Sequence, residues 1–231
     1  MANTIADKLT YLSGTKDAIK QAIIGKGVDV TDTDTFRSYA DKITSIQTGG
    51  GGTVNIPDGT RFANSTFTTI SDSIIPYLEQ QTDLSRIFEN CNSLITVPLF
   101  TTSNVVNMGS MFYGCSSLQT VPSFDTSKCT NMGFIFSNCS SLQTIPLFNT
   151  ANATDMRYMF NYCSKLTTVP QFDTNNVVNM NSMFEGCKSL QTVPLFDTAN
   201  VTSMSRILYN CSSLQTVPQF DTSKTTNMGS M

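Results

Sequence analysis

The stretch Asn107-Met108-Gly109-Ser110-Met111-Phe112-Tyr113-Gly114-Cys115-Ser116-Ser117-Leu118-Gln119-Thr120-Val121-Pro122-Ser123-Phe124-Asp125-Thr126 holds one structural unit. Met108, Met111, Phe112 and Cys115 stand at i, i+3, i+4 and i+7, the spacing of one face of a short helix. Asn107 precedes that face, and its side-chain oxygen suits an N-cap. The helix is expected to end near Cys115-Ser116-Ser117. Leu118 to Val121 then reads as a short extended segment. Pro122 stops it or marks its edge, because proline has no N–H for a ladder. Leu118 and Val121 are three apart, which does not suit a period-two strand, so strand length stays open. Phe124 is a large apolar anchor, and Asp125-Thr126 supplies turn chemistry.

Moving outward, the same pattern returns every 24 residues. Cys91, Cys115, Cys139, Cys163, Cys187 and Cys211 form one series, and Pro98, Pro122, Pro146, Pro170, Pro194 and Pro218 another. Phe100 to Phe220, Leu94 to Leu214 and Met108 to Met228 keep the same register. The cap position carries Asn107, Asn131, Asp155, Asn179, Ser203 and Asn227. A fixed period of this size marks a solenoid, whose units bury their apolar faces only against neighbours. The expected fold class is a repeat solenoid of 24-residue leucine-rich-repeat-like units, each a short strand plus a short helix. A plain parallel β-helix is the competing architecture; the helical spacing of the Met-Phe-Cys face favours the former.

Residues 84–231 are the expected repeat array, and residues 56–83, with the hairpin signal Asp58-Gly59, its N-terminal cap. The chain stops at Met231, part-way into a unit and without a polar cap, so either the natural chain continues or a partner covers that end. Residues 47–55 include Gly49-Gly50-Gly51-Gly52 and read as a flexible linker. Residues 1–46 read as a small all-α module with Leu9, Ile19, Ile23, Phe36 and Tyr39 as its core. A core of about 45 residues is marginal alone, so self-association or docking on a carrier is expected.

Charged residues make up 13 % of the chain and the net charge is −3, which gives no electrostatic reason to expect nucleic acid or an anionic membrane as partner. No apolar run reaches the roughly 18–20 residues of a membrane helix, and no secretory signal opens the chain. There is no histidine, which removes the commonest general base and metal ligand. No phosphate loop, zinc signature or nucleophile–base pairing is visible, so neither an enzyme nor a cofactor or metal site is expected. The cysteines read as buried thiols rather than a disulfide framework, and Cys129 as a small core filler. Asp125, Asp173, Asp197 and Asp221, with Asn149, read as Asx turns ahead of a calcium ladder. Asp29, Asp32 and Asp34 lack the glycine and distal glutamate of an EF-hand, and Asp34 is better used as a helix cap.

Two sets of variable positions break the repeat. Arg86, Phe134, Arg157, Tyr158 and Arg206 follow the methionines or their equivalents, and Tyr113, Tyr162 and Tyr209 lie near the cysteines. Tyrosine and arginine are favoured at recognition surfaces. Ordinary surface variation is the plainer account of these residues.

The run Asn107 to Leu118, with Phe124-Asp125-Thr126-Ser127, resembles the BspA-type leucine-rich repeats of bacterial surface proteins over about residues 84–231. That resemblance implies surface display and adhesion and names no ligand. The run Ile5-Ala6-Asp7-Lys8-Leu9-Thr10-Tyr11-Leu12, with Thr35-Phe36-Arg37-Ser38-Tyr39-Ala40-Asp41-Lys42-Ile43, is similar to the N-terminal module of structural proteins in tailed phages of gut bacteria. It implies an attachment point in a virion.

The leading expectation is therefore a phage virion protein, a fibre or head decoration. It would join other virion proteins through its N-terminal module, form a homo-oligomer, and display an adhesive solenoid toward a host or environmental protein or glycan. The alternative is a bacterial cell-surface adhesin of the BspA-like kind. A glycan-processing enzyme is the least favoured class.

Overall fold

A computed structural model describes residues 61–231. The expected helical module 1–46 with its core residues, the linker 47–55 and the Asp58-Gly59 turn lie outside the described residues. Of these, residues 61–70 and 75–231 belong to one compact unit, to which the structural account below refers.

That unit is a stack of 24-residue coils, but its coils are not strand plus helix. Among the described residues, α-helix is confined to α1, Ile75–Glu79, ahead of the repeats. No repeat contains a helix. The segment expected to be helical, 108–115, is a run of tight turns. Its amides alternate in use. Met108, Ser110, Phe112 and Gly114 donate to the carbonyls of Asn131, Gly133, Ile135 and Ser137 in the next coil, at 2.8–3.2 Å. Met111, Tyr113 and Cys115 donate three residues back, to Met108, Ser110 and Phe112. In a helix the Phe112 amide would bond to Met108.

The backbone angles explain the choice. Ser110 and Gly114 have φ of 57° and 74°, and the equivalent residues of the other coils are also positive. Both sit at the third position of a four-residue turn, where a type II turn takes positive φ. A left-handed residue every fourth position breaks a helix, but it keeps 108, 111, 112 and 115 inward. Four-residue turns and helical turns thus leave the same apolar signature in sequence.

The expected strand is also displaced. Leu118–Val121 forms no strand. Extended pairing shrinks to single parallel bridges at the supposed cap position, linking Asp83, Asn107, Asn131, Asp155, Asn179, Ser203 and Asn227 in turn. Single amides reinforce the stack in the opposite sense, such as Gln119 to Ile95 at 3.0 Å and Thr130 to Val106 at 3.1 Å. The described part of the cap joins the same pattern: Phe62 and Asn64 donate to Ile87 and Glu89, and Thr69 bridges Thr96.

The core consists of columns, each built from one repeat position. Phe88, Phe112, Phe136, Phe160 and Phe184 stack with centroids 5.7–5.9 Å apart and planes within 10°. Phe124, Phe148, Phe172 and Phe196 form a second column against the first, at 6.1–6.3 Å. Burying each such ring contributes about 1.5–3 kcal/mol, and each contact crosses from one position or coil to another.

Polar columns run beside them. Thr102, Thr126, Thr150, Thr174 and Thr198 are buried, and each hydroxyl donates to the Asp125-series carbonyl of the next coil at 2.7–2.9 Å. The acidic series itself makes Asx turns: Asp125, Asn149, Asp173, Asp197 and Asp221 accept the amide two residues on, at 2.9–3.2 Å. The bonds from Ser127 hold the Asp125 carboxyl below the usual range, and those from Ser223 do the same for Asp221.

Candidate functional site

The turn segment that carries the two left-handed residues of each coil is where the repeat varies: Arg86, Tyr162 and Arg206 are exposed there, Phe134 and Tyr158 half-buried, and Ser182 and Gly186 buried. The first left-handed position is Arg86, Ser110, Phe134, Tyr158, Ser182 and Arg206; the second is Asn90, Gly114, Asn138, Tyr162, Gly186 and Asn210. Gly and Asn tolerate such angles. A bulky side chain held there costs on the order of 1–3 kcal/mol. All but three of the residues singled out in the sequence for recognition occupy these two positions; Tyr113, Arg157 and Tyr209 stand immediately before them.

The structure gathers them into three groups. Phe134 and Tyr158 stack at 4.5 Å with planes 9° apart. The Arg157 guanidinium lies 5.7 Å from the Phe134 centroid and pairs with Asp155 at 3.1 Å. Arg206 lies 5.6 Å from the Tyr209 centroid and 3.7 Å from Glu185, a buried carboxylate. Tyr113 and Tyr162 line a long open groove of about 540 Å³ that crosses the second left-handed position of successive coils. Arg86 is exposed and joins none of the three.

The groove was missed in the sequence. Its other walls are Asn90, Asn92, Asn138, the serines at 116, 140 and 164, and Lys188. The available signal was the alternation of Asn and Gly at the second left-handed position, which Tyr162 interrupts.

The cysteine column lies behind this face. The Cys115, Cys139, Cys163, Cys187 and Cys211 thiols donate to the carbonyls of Phe88, Phe112, Phe136, Phe160 and Phe184, at 3.0–3.1 Å. Those carbonyls belong to the preceding coil and also accept a turn amide. Burial pushes the thiols up: Cys129 to about 12, Cys211 to about 11, and Cys163 and Cys187 well above the ordinary value. Protonated, buried thiols of this kind are neither nucleophiles nor metal ligands. Among the described residues no three His, Cys, Asp or Glu side chains converge on a point that could hold a metal, and no helix is long and apolar enough to cross a membrane.

Comparison with known proteins bears on the repeat region. The crystal structure of a leucine-rich repeat protein from Eubacterium ventriosum ATCC 27560, at 2.50 Å resolution, is similar, with a TM-score of 0.44 and 22 % identity over 71 % of this chain and 47 % of that one. The chain thus spans about half the length of that protein. No curated protein matches the chain. Residues 82–192 and 143–231 match the family described as Mycoplasma protein of unknown function, DUF285, and the two matches together cover more than half of the sequence. The chain belongs to that DUF285 family, whose units are BspA-like repeats of the kind its sequence resembles.

Proposed function

We propose that the protein is a surface adhesin of the BspA-like kind, which acts by binding and not by catalysis. One observation carries the reading. Strained or exposed aromatic and arginine side chains replace Gly, Asn and Ser at the left-handed turn positions of a scaffold whose Phe, Met, Cys, Leu and Thr columns are buried. Strain retained at a surface, where relaxation to Asn or Gly is open to each coil, points to a role in contact. A binding surface repeated along a rigid array also suits attachment by many weak contacts. The partner is a host or environmental protein or glycan, and self-association through residues 1–46 would cluster the copies.

The virion reading rests on residues 5–43, which lie outside the described residues. No feature of the repeat surface favours a particle over a cell. Beads coated with the full chain test the adhesin reading. They should attach to surfaces coated with extracellular proteins or glycans, and a variant with Tyr158, Tyr162 and Arg206 replaced by Ser, Asn and Ser, residues found at those positions in other coils, should attach less. Attachment to none of these surfaces, or equal attachment by the variant, overturns it.

A further inference from the structure

We propose that the groove over the coils from Asn90 to Lys188 binds a linear neutral polysaccharide laid along the solenoid axis, with the Tyr162 ring as its stacking platform. The proposal rests on the adhesin reading above and names the ligand class of one of its surfaces.

The first observation is a set of unused polar groups. Asn107, Asn131 and Asn179 hold turn amides with their side chains. In the groove, by contrast, the side-chain amides of Asn90 and Asn92, the hydroxyls of Tyr113 and Tyr162 and the Lys188 ammonium have no hydrogen-bond partner among the described residues. Amides and hydroxyls match sugar hydroxyls in both donor and acceptor sense. Apart from Lys188 at one end, every lining residue is uncharged, a surface matched to a neutral ligand.

The second observation is the seat of Tyr162. Its φ is 57°, at a position that is Gly or Asn in the other described coils. Its ring lies over Gly186 of the next coil, where an added Cβ would stand 2.6 Å from Cδ1 and 2.9 Å from Cε1. Only glycine lets the ring lie there. Tyr162 remains 45 % exposed, so an apolar surface faces the groove, and the C–H face of a pyranose packs on such a ring.

The third observation sets aside a peptide strand. The amides of Gly114, Asn138, Tyr162 and Gly186 are all taken by carbonyls of the next coil, at 2.7–2.8 Å. No donor row is left for strand addition. Recognition must come from side chains, and equivalent positions of successive coils lie 5.7–5.9 Å apart in the Phe88 column, a spacing close to the length of one pyranose in an extended chain.

The test measures binding of the full chain to soluble neutral polysaccharides, a mixed-linkage β-glucan, dextran and galactomannan, with alginate as the polyanion, by affinity electrophoresis and calorimetry. At least one neutral polymer should bind, and Tyr162→Asn should weaken it about tenfold or more, the loss expected for a binding hot spot. Asn occupies the same position in Asn90, Asn138 and Asn210, so this variant should melt no lower than the parent and folding is not at issue. Leu147→Ala, exposed and away from the groove, should bind as the parent does. No binding to any neutral polymer, preference for alginate, or equal binding by Tyr162→Asn overturns the proposal. Bead attachment to protein surfaces without polysaccharide binding sinks the groove alone. Polysaccharide binding without bead attachment sinks the adhesin reading alone.

Discussion

The thiol of Cys139 donates to the carbonyl oxygen of Phe112, 3.1 Å away in the preceding coil. That carbonyl already accepts the Cys115 amide, so one oxygen closes a turn and ties two coils together. The link repeats at each coil from Cys115 to Cys211. It gives cysteine a role that serine could mimic only with a shorter, more polar reach. The column is buried and reduced, and its chemistry follows from that.

Thiol counting is the first check. All seven cysteines should react as thiols in denaturant. In the native protein Cys211, the least buried, should react first and the interior members of the column far more slowly. Two or more disulfides in native protein would contradict the column.

Alkaline pH should weaken the fold through the same residues. Burial raises the folded thiols above the ordinary value of about 8.5. The folded state then holds its protons more tightly than the unfolded chain. The stability this confers is complete below the unfolded value and is lost as pH rises through it toward the folded values, about 11 for Cys211 and about 12 for Cys129. Between about pH 8 and about pH 10 the urea midpoint of the parent should fall further than that of Cys163→Ala. Parallel slopes would show that Cys163 does not titrate differently on folding.

Phe172→Ala should destabilise strongly, by about 3–5 kcal/mol. The ring is buried between Phe160 and Phe196, and both neighbouring interfaces weaken with it. Gln171→Ala removes an exposed side chain whose amide bonds the Leu195 carbonyl, and should stay within about 0.5 kcal/mol. Similar denaturation midpoints would mean the inward and outward positions are wrongly assigned.

The period, the apolar columns and the Asx turns were legible in the sequence because each depends on residue type at a fixed position. The local backbone was not. Met108, Met111, Phe112 and Cys115 fit a helix face and a pair of four-residue turns equally well. What separates the two is the sign of φ at 110 and 114, and Phe134, Tyr158 and Tyr162 hide that sign because they are not residues that announce it. The groove was illegible for a related reason. It forms between coils, so no single unit contains it, and its floor depends on Gly186 lying one period after Tyr162.

The threonine column offers a further test. Thr150 is buried and its hydroxyl donates to the Asp173 carbonyl at 2.7 Å. Thr150→Val keeps the shape and leaves that carbonyl without this donor, at a cost of about 1–3 kcal/mol. Thr144→Val, at an exposed position, should be nearly neutral. Equal midpoints for the two variants would show that the buried hydroxyl contributes nothing.

One coil keeps the bridge but lacks the side-chain turn bond at that position, and repairs itself from a neighbour. Asp83, Asn107, Asn131, Asp155 and Asn179 each accept the amide two residues on, at 2.7–3.0 Å. Ser203 has a shorter side chain and does not. The Ser205 amide donates instead to Asn181 Oδ1 of the preceding coil at 2.9 Å, and the Ser203 hydroxyl donates to the same oxygen at 2.5 Å. Asn181→Ala should therefore cost about 1–2 kcal/mol, because it strands a half-buried amide. Ser203→Asn supplies the missing oxygen locally, so in that background Asn181→Ala should cost much less. The double-mutant cycle should give a coupling of about 1 kcal/mol. Strict additivity of the two substitutions would mean that Asn181 does not stand in for the side chain Ser203 lacks.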